Sequence, residues 1–388
     1  MTKRLLSFSL ISPLILAAAL VLGGCMSVPE TRKVELEIPV FPPPPDEPRF
    51  IYERSLYSSA DIKPEESAAD RFRRMATGEQ TQGEGLSKPF GLAVRHGRVY
   101  VADSASHAVM VFDIPAKRFF TIGEEEPGAL MIPLGLTLDR QGNLYVVDSS
   151  AKKVMVYDKE GKFLRSIGDP TWFHRPSGVA VDADGRRVYV VDLGGVLEKV
   201  EHRVRVFDAQ TGKHLFDFGK RGIGPGEFNL PVDAAVSPDG SVYVVDGGNF
   251  RVQKFRDDGT PVSIFGAIGR QGGQFSRPKG IAVDKAGNVY VVDTAFGNFQ
   301  IFSPQGQLLL AVGIRSEVDG PAKYMLPAGI AVDDDGRVYM ADQYFRKVEI
   351  YRPAALAADD GYIGKKALSK KTPPEPGKRT IPEPAKAQ

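Results

Sequence analysis

The stretch Pro278-Lys-Gly-Ile-Ala-Val-Asp-Lys-Ala-Gly-Asn-Val-Tyr-Val-Val-Asp293 reads as two short strands joined by a tight turn. Val, Ile and Tyr suit a pleated surface, and the Gly-Asn pair tolerates the backbone angles that a reversal needs. Five further copies follow the same template. They are PFGLAV…GRVYVAD (Pro89 to Asp103), PLGLTLD…GNLYVVD (Pro133 to Asp148), PSGVAVD…GRRVYVVD (Pro176 to Asp192), PVDAAVS…GSVYVVD (Pro231 to Asp246) and PAGIAVD…GRVYMAD (Pro327 to Asp342). Their closing aspartates lie 45, 44, 54, 47 and 49 residues apart. A repeat of this length supplies one small sheet that cannot bury its faces alone, so six copies predict the blades of a propeller.

Each repeat carries four β signals. In the fourth they are Asp233–Val236, Ser241–Asp246, Arg251–Arg256 and Pro261–Phe265, separated by turn sequences such as Asp257-Asp258-Gly259. Asp-Gly pairs favour such reversals. The expected fold is therefore all-β: a six-bladed propeller of four-stranded blades over residues 49–358. A small residue recurs in each first strand (Ala93, Thr137, Ala180, Ala235, Ala282, Ala331), which fits crowding near a central axis. The sixth repeat has no fourth strand after Tyr351, whereas Arg49–Tyr57 is an isolated strand signal ahead of the first repeat. Pairing of that segment with the outer edge of the sixth blade would close the ring and hide two sheet edges.

The repeats resemble the NHL family, with its pattern P-x-G-(I/V)-A-V-D…G-x-(I/V)-Y-V-(A/V)-D. The resemblance runs from Lys88 to Tyr351 and includes linkers such as Gly224-Pro-Gly-Glu-Phe-Asn-Leu-Pro231. Arg95 in the first repeat and Asp233 in the fourth depart from it. The resemblance implies a ring that presents surfaces. Enzymes of this broad architecture place metal ligands near the axis, where the inner strands start; here those positions are Gly91, Gly135, Gly178, Asp233, Gly280 and Gly329. One carboxylate among five glycines is not a metal site, because zinc and calcium need several converging ligands.

Residues 1–24 have a short basic start, an apolar stretch from Leu5 to Leu22 and a small-residue end, the layout of a secretory signal. Leu22-Gly-Gly-Cys25 resembles the bacterial lipobox, which implies lipidation of Cys25. An ordinary transmembrane anchor is the alternative, since such a stretch is barely long enough to span. Cys25 is the sole cysteine, so no disulfide competes for its thiol. Met26 follows it, where an Asp would resemble an inner-membrane retention signal, so delivery to the outer membrane is expected if the source has one. Residues 25–48, with the run Phe41–Pro48, read as an extended polyproline tether. Residues 58–77 hold a charged, helix-compatible patch that could pack across the ring. Residues 359–388 read as a disordered tail, Pro-rich and basic from Lys365 onward.

Without Lys3 and Arg4 the chain has 48 basic and 48 acidic residues. The tail from Lys365 holds seven of these basic and two of the acidic residues, so the ring is mildly acidic and gives no electrostatic footprint for nucleic acid. His96, His107, His174, His202 and His214 are scattered over four repeats, and no catalytic residue, cofactor or metal set is assigned. Asp233 is the one candidate contact at the channel mouth. The six repeat aspartates are expected to hold turn amides, with Arg203, Arg251 and Arg346 bracing the same loops. Phe173, Phe228, Phe275 and Tyr324, each three residues before a repeat proline, are expected to pack the linkers. The third repeat is lengthened within Leu193–His202, and repeat insertions map to loops on one face. Trp172, Leu193, Val196, Leu197, Glu198, Lys199, Phe296, Tyr344 and Phe345 are the candidate partner contacts. The expected function is a monomeric, lipid-anchored envelope platform that binds a protein or cell-wall polymer. The alternative is a metal-dependent hydrolase or lyase.

Overall fold

Runs such as Val-Tyr-Val-Val-Asp place apolar side chains on both faces of a strand, which suits sheets packed face to face on two neighbours. A computed structural model describes residues 38–63, 76, 83–195 and 201–364. Six blades are present. Blade 1 comprises Pro89–Arg95, Arg98–Asp103, Ala108–Asp113 and Arg118–Ile122, and blade 4 comprises Pro231–Val236, Val242–Asp246, Arg251–Phe255 and Pro261–Phe265. Blades 2, 3 and 5 repeat the same antiparallel four-strand order, inner to outer. The inner strands touch in sequence, and that of blade 6 (Pro327–Val332) returns to that of blade 1. Six apolar clusters fill the spaces between blades; Tyr243, Val245 and Val252 of blade 4, for instance, pack on Ile281, Val289 and Phe302 of blade 5.

Blade 6 draws on both ends of the ring. Its first three strands are Pro327–Val332, Val338–Asp342 and Lys347–Pro353, and Phe50–Leu56 pairs antiparallel with the third, from Phe50↔Pro353 to Leu56↔Val348. One charged contact crosses this union, and a second lies within the third strand itself. The guanidinium of Arg337, wholly buried, meets Glu53 at 2.8 Å. Buried Lys347 Nζ meets Glu349 at 2.6 Å, and Glu349 also accepts from the hydroxyls of Tyr324 and Tyr351.

Strand pairing at the N-terminal side begins before Arg49. Val40–Phe41 pairs with Ile51–Phe50, and Arg49 N donates to Phe41 O at 2.6 Å. Pro42–Pro48 thus lies in the loop of a hairpin and is not part of an extended tether. The cause is apolar: Phe41 sets its ring edge-on to Tyr351 at 6.0 Å, and Phe50 and Tyr52 join the same cluster. At the other end, residues 359–364 lie on the ring: Arg337 Nη2 donates to Asp360 O, and Tyr362 N donates to Asp335. Cys25 with its leader, most of the patch at 58–77, Val196, Leu197, Glu198 and Lys199, and the tail from Lys365 lie outside the described residues. Among the described residues no helix is long and apolar enough to cross a membrane.

Candidate functional site

The antiparallel order gives the ring two unlike faces. Loops between second and third strands, and the blade-to-blade linkers, share one face; the hairpins between first and second and between third and fourth strands share the other. On the linker face each blade is pinned by its wholly buried aspartate. Asp293 is typical: it accepts the amides of Ser276 and Arg277 in the linker and of Ala295 and Phe296 in the loop. Asp103, Asp148 and Asp342 do the same. An ionised acceptor of several amides replaces its water shell with fixed donors and holds the loop rigid.

The basic partners of these aspartates differ from expectation. Arg251 does bind Asp246, at 2.8 Å. In blade 3, Arg203 turns outward to Asp217 and Arg205 approaches Asp192, at 3.8 Å. Arg346 is exposed at a positive φ of 55°, so Lys347 and not Arg346 takes the inward position of blade 6. The linker aromatics Phe173, Phe228, Phe275 and Tyr324 are buried as expected. Each sits against the glycine that ends the preceding blade; at Gly266, with φ of 85°, a Cβ would lie 2.4 Å from the Phe275 ring.

Along the axis runs a channel with a cavity of about 430 Å³ lined by the six inner strands. Every inner strand is bulged just after its proline, and the glycine of the bulge meets the next blade. A Cβ on Gly91 would lie 2.3 Å from Leu134 O, and one on Gly329 2.2 Å from Phe90 O. Crowding at the axis therefore falls on these glycines more than on the alanines. Asp233 stands where the glycine would be. Its carboxylate accepts from Ala234 N at 2.9 Å and from Ile281 N of the next blade at 3.3 Å. It keeps some exposure to the lumen, yet desolvation deep in the ring raises its pKa to about 7, against the pull of those two amides.

Lys279, one strand over, lines the same channel. Its ammonium lies 5.4 Å from the centre of the Phe90 ring. Burial, then the charges of Arg277 and Lys88, depress its pKa to about 8, with Asp342 opposing. No repeat motif marks Lys279, although it is the only charged residue at the second position of the six repeats.

The histidines occupy separate settings. His202 is wholly buried; its Nδ1 accepts from Leu230 N at 3.0 Å, which leaves the Nε2 proton for Gly195 O. His214 binds Asp217 and stacks on Trp172, and His96 lies by Asp334 and Tyr362. Among the described residues no three His, Cys, Asp or Glu side chains are grouped to hold a metal ion.

Of the candidate contacts, Trp172 is half-buried, wedged against Phe207 and His214 with Arg205 5.5 Å from its ring. Leu193, Phe296 and Phe345 are half-buried, and Tyr344 is 56% exposed, edge-on to Phe345. The linkers offer more apolar surface than these. Ile223 is 80% exposed, Val318 70%, and Met131, Ile132, Ile268 and Ile314 are exposed as well. All sit between blades on the linker face; the sequence marks them as isolated aliphatics in Gly-rich connections.

The NHL repeat model matches residues 228–255 and 275–302, each running from a linker aromatic to the end of a third strand. Among curated proteins, a "Probable peptidyl-alpha-hydroxyglycine alpha-amidating lyase" of Caenorhabditis elegans is 35% identical over 88 residues, 21% of this chain and 23% of that protein. Human NHL repeat-containing protein 3 is 32% identical over 90 residues, 23% and 24% of the two chains. The match thus spans about a quarter of each relative's length. Among solved structures, a protein of unknown function from Bacteroides thetaiotaomicron aligns with a TM-score of 0.56 at 17% identity, over 77% of this chain and 75% of that one. Virginiamycin B lyase of Staphylococcus aureus aligns with a TM-score of 0.51 at 12% identity, over 78% and 99%. At these identities the likeness is one of fold.

Proposed function

We propose that this propeller is a binding platform of the cell envelope, lipid-anchored at Cys25, whose linker face docks an envelope protein or cell-wall polymer. The observation that carries the reading is the set of exposed aliphatics on the linkers: Met131, Ile132, Ile223, Ile268, Ile314 and Val318, with Tyr344 beside them. Apolar side chains on loops pinned by buried aspartates form a preorganised surface, which limits the ordering cost of association. Leu193 and His202, the two ends of the lengthened segment, lie on the same face. The leader and Cys25 supply the anchor in this reading, with outer-membrane delivery where an outer membrane exists. The test is cross-linking in cells that carry the tagged full chain, comparing wild type with Ile223→Glu/Val318→Glu and with Leu309→Glu, an exposed residue on the outer strand Leu308–Val312 of blade 5. A partner lost in the first variant and kept in the second supports the platform. A partner kept in both places docking elsewhere.

A second reading, a metal-dependent hydrolase or lyase centred on the channel, draws on Asp233 and on the lyase names among the similar proteins. Stoichiometric metal in the purified full chain, lost together with activity in Asp233→Gly, would favour it over the platform.

A further inference from the structure

The six inner strands line the channel, and each is preceded at its linker-face end, the mouth of the channel on that side, by one residue: Lys88, Ile132, Arg175, Leu230, Arg277 and Leu326. Cations alternate with aliphatics around the six-fold ring. Their backbones are fixed, because blade aspartates take the amides of Lys88, Ile132, Arg175, Arg277 and Leu326 and His202 takes that of Leu230. Lys279 projects from just inside, over Phe90. None of Lys88, Arg175, Arg277 and Lys279 has a carboxylate partner among the described residues. The acid that acts on Lys279, Asp342, is committed to loop amides. On the hairpin face the pattern is opposite, since Arg98, Arg140, Arg186, Arg187 and Lys254 all meet aspartates.

We infer that this mouth is a receptor for a small organic anion, its carboxylate or phosphate group held by Lys279, Lys88 and Arg277 and its apolar body by Phe90 and the aliphatics of the ring. Like charges gathered on a rigid frame without a counter-charge repel one another, and an anion on the axis turns that repulsion into attraction. The mutual repulsion is already felt at Lys279, whose proton is loosened by burial and then by Arg277 and Lys88. The site is independent of what docks on the surrounding face.

The experiment is calorimetric titration of the full chain with benzoate and with inorganic phosphate, alongside sedimentation with phosphatidylglycerol vesicles. Saturable binding of either free anion at one site per chain is expected, weakened by about tenfold or more in Lys279→Gln and in Arg277→Gln, as for loss of a charge-assisted hydrogen bond. Lys285→Gln, on the hairpin face, should leave it unchanged. Affinity should fall as pH rises through about 8 in the wild type and stay level in Lys279→Arg, which keeps the charge. Binding of neither anion, equal binding by both mouth variants, or binding only to vesicles would overturn the inference.

Discussion

Replacing Asp233 by the glycine found in five of the six blades should abolish a particular slope of stability against pH. The carboxyl titrates near 3.8 in the unfolded chain and at about 7 in the ring. Between those values the folded protein keeps a proton that the unfolded chain has released, so stability falls as pH rises through this window. Below it both states are protonated; above it both are ionised and the desolvation penalty is complete. At about 1.4 kcal/mol per pH decade the shift is worth at most about 4 kcal/mol. Lumen water screens part of it, which leaves about 2–3 kcal/mol as the expected span. Asp333, raised to about 6 by burial, tilts both proteins alike and cancels in their difference. Urea unfolding of the full chain, followed by circular dichroism from about pH 4 to pH 8, reads the effect. The difference between Asp233→Gly and wild type should move in favour of the variant by that amount as pH rises. Parallel curves would refute the reasoning, since they would mean that Asp233 is as well solvated in the ring as in the unfolded chain.

The glycines that end each blade should be far less replaceable than turn glycines of the same backbone angle. Gly240→Ala, with φ of 82° and nothing within 4 Å of the new Cβ, should cost about 1 kcal/mol from strain alone, whereas Gly266→Ala adds overpacking of the Phe275 ring and should cost about 1–3 kcal/mol more. Equal urea midpoints would show that the linker ring moves aside freely. Lys347→Met strands Glu349 in the interior and should cost about 3–5 kcal/mol; Arg140→Met, which breaks an exposed pair with Asp184, should cost under about 1 kcal/mol by the same measurement.

The blades were legible because each repeat states its strands, turns and buried aspartate in one local phrase, and the linker aromatics because they keep a fixed distance from the next proline. Features that depend on side-chain direction were harder to read. Arg346 looks like the counterpart of Arg251, but the loop before the third strand ends in a left-handed residue. His107, Lys152 and Phe250 hold that place in other blades and Arg346 holds it in blade 6, so the inward position passes to Lys347. Arg203 is opposite Asp192 in the ladder, yet its side chain finds Asp217 on the outer strand. The hairpin at Val40–Phe41 was hidden by its prolines, which argue for extension until two apolar residues find a surface to cover. Lys88, Arg175 and Arg277 are unremarkable as single residues; only the six-fold arrangement sets them around one opening.

The borrowed outer strand of blade 6 changes how the array can come apart. A linear stack of repeats frays from its ends, each terminal unit having one neighbour, and such stacks need special capping repeats. Here the two ends of the array are woven into one sheet through Phe50–Leu56 and Lys347–Pro353, so no blade is terminal. Losing any one blade exposes two inter-blade cores at once, and the cost of a first break is shared by the whole hoop. Partial unfolding should therefore be rare, with amide exchange in all six inner strands governed by a single global opening.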